Sequence, residues 1–193
     1  MARPKAFDPA QALDCALEVF WHQGYEATSL QDLLEAMGLS KSSFYETFGS
    51  KHALYLAAMD RYRETAIARY VRLLGDQDDG LQAIADVFAA LVAQLDCPQG
   101  RRGCFMNNAM VESAPHDAAT EARVREAQRT LEDAFYRAVR RAQAQGQIVL
   151  EKDPRALARF LTSSMHGLLS VAKMAPGREA LEDVAGVVIS TLA

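Results

Sequence analysis

Apolar residues recur every three or four positions over most of the chain, which is the spacing of one face of an α-helix. The pattern is clearest in one stretch near the middle of the sequence. Its apolar positions are Leu81, Ile84, Phe88, Leu91, Val92 and Leu95. No segment shows the strict alternation of apolar and polar residues that indicates a half-buried β-strand. The sequence therefore predicts an all-α protein of about nine helices.

Proline, glycine and aspartate mark the breaks between the expected helices. Two Asp-Pro pairs, at 8–9 and 153–154, each place an aspartate where it can cap free N–H groups and a proline at the first helical position. The segment 75–80, GDQDDG, interrupts the helical spacing. We therefore expect a small N-terminal domain over residues 1–50, a connecting helix over 51–74 and a larger helical domain over 75–193.

The segment 28–48, TSLQDLLEAMGLSKSSFYETF, contains two short helices separated by a tight turn. Thr28 and Gln31 fit the reciprocal capping box that begins a helix, and Gly38 can adopt the left-handed conformation that ends one. Ser40 is placed to cap the helix that follows. This is the pattern of a helix-turn-helix, whose second helix enters the major groove of DNA. A helical hairpin that serves packing alone is the alternative.

The second of these two helices carries polar side chains on its expected outward face. Such side chains donate hydrogen bonds to phosphate oxygens and to base edges. They are Lys41, Ser42, Ser43 and Tyr45.

In this region the sequence resembles the TetR family of bacterial transcription repressors. The similarity lies in residues 20–57, which combine an F-x-x-x-G-[YF]-x-x-[TS]-[ST] entry, a G-[VL]-S turn, a Y-x-x-F recognition helix and an SK-x-x-L exit. Leu34 departs from the pattern, since many members carry alanine there. The resemblance implies a three-helix DNA-binding domain, double-stranded operator DNA as a partner, and no enzymatic activity. The DNA contacts that it implies are Thr28, Lys41, Ser42, Ser43, Tyr45 and Lys51.

The charge balance does not by itself favour a nucleic-acid partner, because the net charge of the chain is −4. Residues 1–62 hold five Lys or Arg against eight Asp or Glu. Affinity for DNA must therefore depend on the positions of the few cationic side chains. Lys41 and Lys51 flank the expected recognition helix, and Arg3 and Lys5 form a candidate arm.

The C-terminal part contains two helices that are apolar on more than one side. Residues 184–193 contain no charged residue, and the helix that begins at Pro154 is similarly broad. Such helices are normally covered on several sides. Gly167 and Gly186 fall inside them, which indicates either close approach of another helix or simple tolerance by the fold. The resemblance implies a homodimer that pairs through these C-terminal helices.

The resemblance also implies that the larger domain, residues 75–193, encloses a small-molecule effector. The side chains expected to line that site are Phe88, Cys104, Asn107, Phe135 and His166. Packing in the core is the alternative for the aromatic residues, and a satisfied core histidine is the alternative for His166.

Cys104 has a further possible role in sensing. It follows Arg101 and Arg102 and precedes an expected helix start, and both features favour the reactive thiolate form. Some relatives in the family with a similar Gly-Cys segment regulate responses to electrophiles. A small buried core residue is the alternative, because cysteine is commonly buried.

No cofactor, metal or membrane is expected from the remaining features. The three cysteines form no CxxC pair and the four histidines show no HxxxH or HExxH spacing. The longest uncharged stretch, residues 160–172, is shorter than the roughly 18 residues of a membrane span. Acidic residues near the start leave no export signal, so we expect a cytoplasmic protein.

Two other classes of function compete with a DNA-binding regulator. A helical enzyme lacks support because neither a P-loop nor a GxSxG motif occurs. A protein-interaction module would explain the apolar C-terminus but not the capped helix-turn-helix. A mobility shift with the upstream DNA of the gene would separate the three classes.

Overall fold

Nine helices make up residues 7–192, the part of the chain that the computed structural model describes, and no β-strand occurs there. The predicted all-α class is confirmed. Arg3 and Lys5, the candidate arm, lie outside the described residues. The helices are α1 (Pro9–Gln23), α2 (Leu30–Met37), α3 (Lys41–Phe48), α4 (Lys51–Tyr62, a π-helical turn Arg63–Ile67, and Ala68–Gly75), α5 (Gly80–Leu95), α6 (Phe105–Glu112), α7 (Ala118–Ala144), α8 (Pro154–Val171) and α9 (Arg178–Ser190). Short 3-10 turns, Pro98–Arg102 and Ala172–Met174, precede α6 and follow α8.

Side-chain caps begin several of these helices where the sequence indicates them. Asp8 accepts the N–H of Ala10, and Asp153 accepts the N–H of Arg155, so both Asp-Pro starts are confirmed. Ser40 caps α3 by accepting the N–H of Ser43. These caps satisfy N–H groups that the first turn of a helix leaves free.

The cap of α2 corrects the sequence prediction by one residue. Ser29, not Thr28, begins the helix: its hydroxyl accepts the N–H of Asp32, and the Asp32 carboxylate accepts the N–H of Ser29. Both pairs, Thr28/Gln31 and Ser29/Asp32, have the required spacing. The carboxylate makes the stronger, charge-assisted bond, and these bonds lower the pKa of Asp32.

One continuous core of buried side chains holds the helices of both parts together. Around α1 to α4 the fully buried side chains include Phe20, Leu33, Phe44 and Leu54. In the larger part α7 is central, since it packs against α4, α5, α6 and α8.

Helices α5 and α7 approach very closely where α5 begins. A Cβ atom placed on Gly80 would lie 2.4 Å from the carbonyl oxygen of Ala138 and 2.4 Å from the backbone nitrogen of Ala142. Only glycine fits this position without moving the two backbones apart.

Among the described residues no single helix is long and apolar enough to cross a membrane. One bent pair, Gly80–Leu95 with Gly100–Glu112, satisfies the length and composition test together, with an angle of 102° between its parts.

Candidate nucleic-acid interface and ligand cavity

The turn between α2 and α3 has the geometry of a helix-turn-helix. Gly38 adopts the left-handed conformation, with φ of 64°, and its N–H reaches the last carbonyls of α2. Phe44 is completely buried and fixes one side of α3 against the domain. The orientation of α3 is therefore set by one glycine and one aromatic anchor.

The outward side of α3 carries the polar residues that the sequence indicates. Lys41 and Ser42 are exposed, and the Tyr45 side chain is 47% exposed with its ring edge-on to Phe44. Ser43 is half-buried because it belongs to the cap: the Ser40 hydroxyl lies 2.9 Å from its hydroxyl. The structure thus brings these side chains to one end and face of α3.

Lys51 stands at the first position of α4, beside a capped helix N-terminus. The Ser50 hydroxyl accepts the N–H of Ala53 at 3.0 Å and so caps this helix. The Lys51 ammonium lies 4.4 Å from the centre of the Tyr25 ring. A cation over an aromatic face is held by the ring quadrupole. Lys51 is therefore both close to partially positive N–H groups and restrained in position.

Thr28 occupies a different place from the other predicted DNA contacts. Its side chain is buried, and its hydroxyl donates to the carbonyl oxygen of Gly24 at 2.6 Å. That hydrogen bond closes the turn between α1 and α2. A side chain held in this way does not reach the surface of the described structure, and Thr28 as a DNA contact stays a prediction.

A small cavity of about 20 Å³ lies between α4, α6, α7 and α8, which is room for roughly one water molecule. The described residues that line it include no Asp, Glu, Lys or Arg side chain. Among them are Met106, Met110, Leu131 and three of the predicted effector residues, Cys104, Asn107 and His166.

Phe88 and Phe135 do not line this cavity, although the sequence predicts both as effector contacts. Both rings are buried, and they pack against each other with centroids 6.2 Å apart. Their spacing in the sequence marks a buried face, and that face belongs to the α5–α7 core. The structure therefore places both rings in the core rather than at this cavity.

Polar atoms give the cavity its chemical character. The Asn107 side-chain nitrogen donates to the Ser170 hydroxyl at 2.9 Å and to the backbone carbonyl of His166 at 3.3 Å. The side-chain oxygen of Asn107 is buried without a hydrogen-bond partner among the described residues. Burial lowers the pKa of His166 and keeps its ring neutral near pH 7. The lining of the cavity thus includes a residue with a buried, unpartnered acceptor oxygen, in an uncharged setting.

The state of His166 makes the stability of the fold depend on pH. In the unfolded chain this histidine binds a proton near its ordinary pKa of 6.5, whereas the folded protein takes it up only at lower pH. The free energy of unfolding should therefore fall as the pH drops below about 6.5 and approaches the lower pKa that His166 has in the folded protein. Thermal unfolding at neutral and mildly acidic pH measures this loss. His166→Gln should show a smaller drop than the parent; equal drops would count against a buried neutral ring.

Cys104 does not have the reactive environment that its neighbours in the sequence indicate. It is buried, and burial raises the pKa of its thiol. The Tyr62 hydroxyl donates to its sulfur at 3.4 Å. Arg102 turns away to stack on the Trp21 ring, with 3.5 Å between its guanidinium carbon and the ring centre. The prediction that two arginines favour the thiolate is wrong, because burial is the largest influence on the thiol pKa and raises it.

Alkylation rates should show this difference between the cysteines. Cys97 is exposed, so iodoacetamide should modify it first at neutral pH. Cys104 should react at least about tenfold more slowly, because it is buried and protonated. Mass spectrometry of the digested protein gives both rates, and in guanidinium chloride the two should become similar. Faster labelling of Cys104 in the folded protein would restore the sensor hypothesis.

Two contacts between the N-terminal helices and the larger part have no signal in the sequence. The Trp21 indole donates to the carbonyl oxygen of Gly103 at 3.2 Å. His52, in the first turn of α4, lies 2.9 Å from the Asp117 carboxylate that caps α7. Hydrogen bonds from Thr120 and His52 lower the pKa of Asp117. Residues so far apart in the sequence come into contact only when the chain folds.

The last two helices expose an apolar face. Val187 is 64% exposed, and among the described residues a Cβ atom added to Gly167 or to Gly186 would meet nothing within 4 Å beyond the adjoining backbone of its own helix. Val188, by contrast, is 4% exposed and packs in the core, so a charge there would unfold the protomer. The exposed large apolar side chains of these two helices and the turn after α8 are Phe160, Val171, Met174, Val184 and Val187. An apolar face of this kind is suited to pair with its copy in a homodimer.

Family models of known proteins match both the N-terminal and the C-terminal part of the chain. The family model of bacterial regulatory proteins of the tetR family matches residues 12–58, and that of the tetracyclin repressor-like C-terminal domain matches residues 80–187. The uncharacterized HTH-type transcriptional regulator YezE of Bacillus subtilis is 38% identical over the full length of both chains. The HTH-type transcriptional repressor ComR of Escherichia coli is 35% identical, covering 97% of this chain and 90% of its own.

Solved structures show that the fold is similar as well. A cysteine mutant of the TetR family transcriptional regulator CifR, in complex with 26-bp double-strand operator DNA, superposes with a TM-score of 0.89. It is 29% identical, and the match covers 99% of this chain and 100% of that one. This chain therefore belongs to the tetR family of bacterial regulatory proteins and is a DNA-binding transcriptional regulator, a homodimer rather than an enzyme.

Proposed function

We propose that the protein is a repressor whose two α3 helices enter the major groove at the two half-sites of a palindromic operator. The observation that supports this most directly is the polar outer side of α3, anchored by the buried Phe44. Lys41 and Tyr45 stand free to contact base edges and phosphates, with Ser42 and Ser43 beside them. Repression, rather than activation, is favoured by ComR, a relative over nearly the whole chain that is named a repressor.

Lys51 is proposed as a phosphate contact that carries no sequence information. It adjoins the N-terminus of α4, where free N–H groups and the helix dipole favour an anion. The acidic balance of residues 1–62 makes each well-placed cation important. We infer a cytoplasmic location from the same function, because the partner is genomic DNA.

Lys41→Ala should lower operator affinity about tenfold or more while leaving the melting temperature nearly unchanged, because the side chain is exposed. Tyr45→Phe should weaken binding less, since it removes only the hydroxyl. Fluorescence anisotropy on a duplex selected from a random-sequence pool by the parent protein measures both. Arg129→Ala, an exposed cation lost from α7, is the matched control. Equal losses in Lys41→Ala and the control would contradict the assignment of α3.

We further propose that the cavity beside α6 is the effector site and that the effector is an uncharged, largely apolar molecule with a hydrogen-bond donor. The described residues of the lining include no charged side chain, and Asn107 has an unpartnered acceptor oxygen. At about 20 Å³ the cavity must enlarge, and two flexible methionines, Met106 and Met110, line it. The buried thiol of Cys104 favours such a reversible ligand over an electrophile.

Native mass spectrometry of the purified protein tests this proposal by identifying a ligand that survives purification. An uncharged ligand is expected, and Asn107→Leu should abolish its retention without preventing folding. The ligand should lower operator affinity by a factor of about 5 to 150, the usual range for coupled sites. An anionic ligand, or one retained by Asn107→Leu, would contradict the assignment of the cavity.

A further inference from the structure

The last residue of α6 reaches across to the DNA-binding domain. The Glu112 carboxylate accepts the N–H of Tyr25 at 3.1 Å and the N–H of Glu26 at 2.9 Å. These two amides belong to the turn between α1 and α2. Hydrogen bonds to a carboxylate are stronger than those between neutral groups. A side chain of the larger part thus fixes a turn of the part that meets DNA.

Gly24 makes room for this contact. Its φ of 87° lies in the region that favours glycine, and a Cβ atom there would stand 2.8 Å from a carboxylate oxygen of Glu112. Within residues 7–192 no Lys, Arg or His forms an ion pair with Glu112. The carboxylate is therefore committed to the two backbone amides.

The turn that Glu112 fixes carries the aromatic ring that holds Lys51. The centres of the Tyr25 and Tyr55 rings lie 4.7 Å apart, and the Lys51 ammonium lies 4.4 Å from the centre of the Tyr25 ring. A lysine side chain loses considerable rotamer freedom when it is held in one place. If the Tyr25 ring fixes the ammonium before DNA arrives, less of that freedom is lost on binding.

We propose that Glu112 is a positioning residue for the DNA-binding surface: it anchors Tyr25 through the backbone, and the Tyr25 ring holds the Lys51 ammonium where it meets a phosphate. This inference rests on the proposed phosphate contact of Lys51. The same helix, α6, lines the cavity through Met106, Asn107 and Met110. A shift of α6 would therefore change the position of Lys51 directly.

A double-mutant cycle between Glu112→Ala and Lys51→Ala tests the proposal. The probe is the duplex selected by the parent protein, and anisotropy over a series of salt concentrations gives the affinity and its salt slope. Lys51→Ala should reduce the slope by about one unit. Glu121→Ala, which removes an equal charge from the exposed side of α7, corrects for the general gain in DNA affinity when a carboxylate is lost.

After this correction, Glu112→Ala should lower affinity about threefold to tenfold when Lys51 is present and leave it unchanged when Lys51 is absent. Glu112→Gln, which keeps one acceptor oxygen, should lose less. Equal losses in both backgrounds would overturn the proposal, because Glu112 would then act by docking the domain as a whole.

Hydrogen exchange provides a readout that needs no DNA. The amides of Tyr25 and Glu26 should exchange faster in Glu112→Ala than in the parent, and unchanged rates would overturn the contact itself. If Lys51→Ala leaves affinity and salt slope unchanged, the phosphate contact of the proposed function is wrong. The inference then falls with it, even where exchange shows the Glu112 contact to be real.

Discussion

Val187→Glu should separate the homodimer into folded monomers and weaken operator binding more than about a hundredfold. Val187 is 64% exposed in the protomer and lies on the apolar face of α9, one turn from Val184. A carboxylate there would lose its hydration in the interface between protomers, which is costly without a partner. A monomer keeps the contacts to one half-site only. Binding at the second half-site raises the affinity for the operator by a factor of about 10² to 10⁴.

Light scattering gives the mass of the variant, circular dichroism shows whether it is folded, and anisotropy gives its operator affinity. Val149→Glu is the matched control, since Val149 is 52% exposed but lies outside the C-terminal helices. It should remain dimeric and bind DNA normally. A dimeric, DNA-competent Val187→Glu protein would place the homodimer interface on another face.

The helix-turn-helix could be predicted because its determinants are local. The left-handed Gly38, the cap at Ser40 and the anchor at Phe44 lie within a few residues of the backbone that they shape. Even the error at α2 is confined to one residue, where Thr28 and Ser29 begin overlapping capping patterns. Short-range signals therefore define the recognition helix well.

The environment of individual side chains in the larger domain could not be predicted in the same way. Burial raises the pKa of the Cys104 thiol, and its hydrogen-bond partner Tyr62 is 42 residues away, so both features arise only after the helices pack. The contact of Glu112 with Tyr25 spans 87 positions. Helical spacing places Phe88 and Phe135 on buried faces but does not say whether a buried face meets a cavity or another helix.

Because α5 and α7 approach so closely, a side chain added at Gly80 should strongly destabilise the fold. Gly80 is the first residue of α5, and a Cβ atom added to it would stand 2.4 Å from backbone atoms of both Ala138 and Ala142. Backbone atoms cannot move aside as a flexible side chain can. The helices must therefore separate if Gly80 becomes alanine, which loosens the packing around Phe88 and Phe135.

Gly80→Ala should cost about 3 kcal/mol of stability and lower the melting temperature by roughly 6 to 12 °C. Gly75→Ala is the matched control: it also lies in a helix, but a Cβ there has nothing within 4 Å. That control should be neutral or slightly stabilising, because alanine favours the helix. Differential scanning calorimetry measures both shifts. A Gly80→Ala protein as stable as the parent would mean that α5 and α7 lie farther apart in solution than these distances indicate.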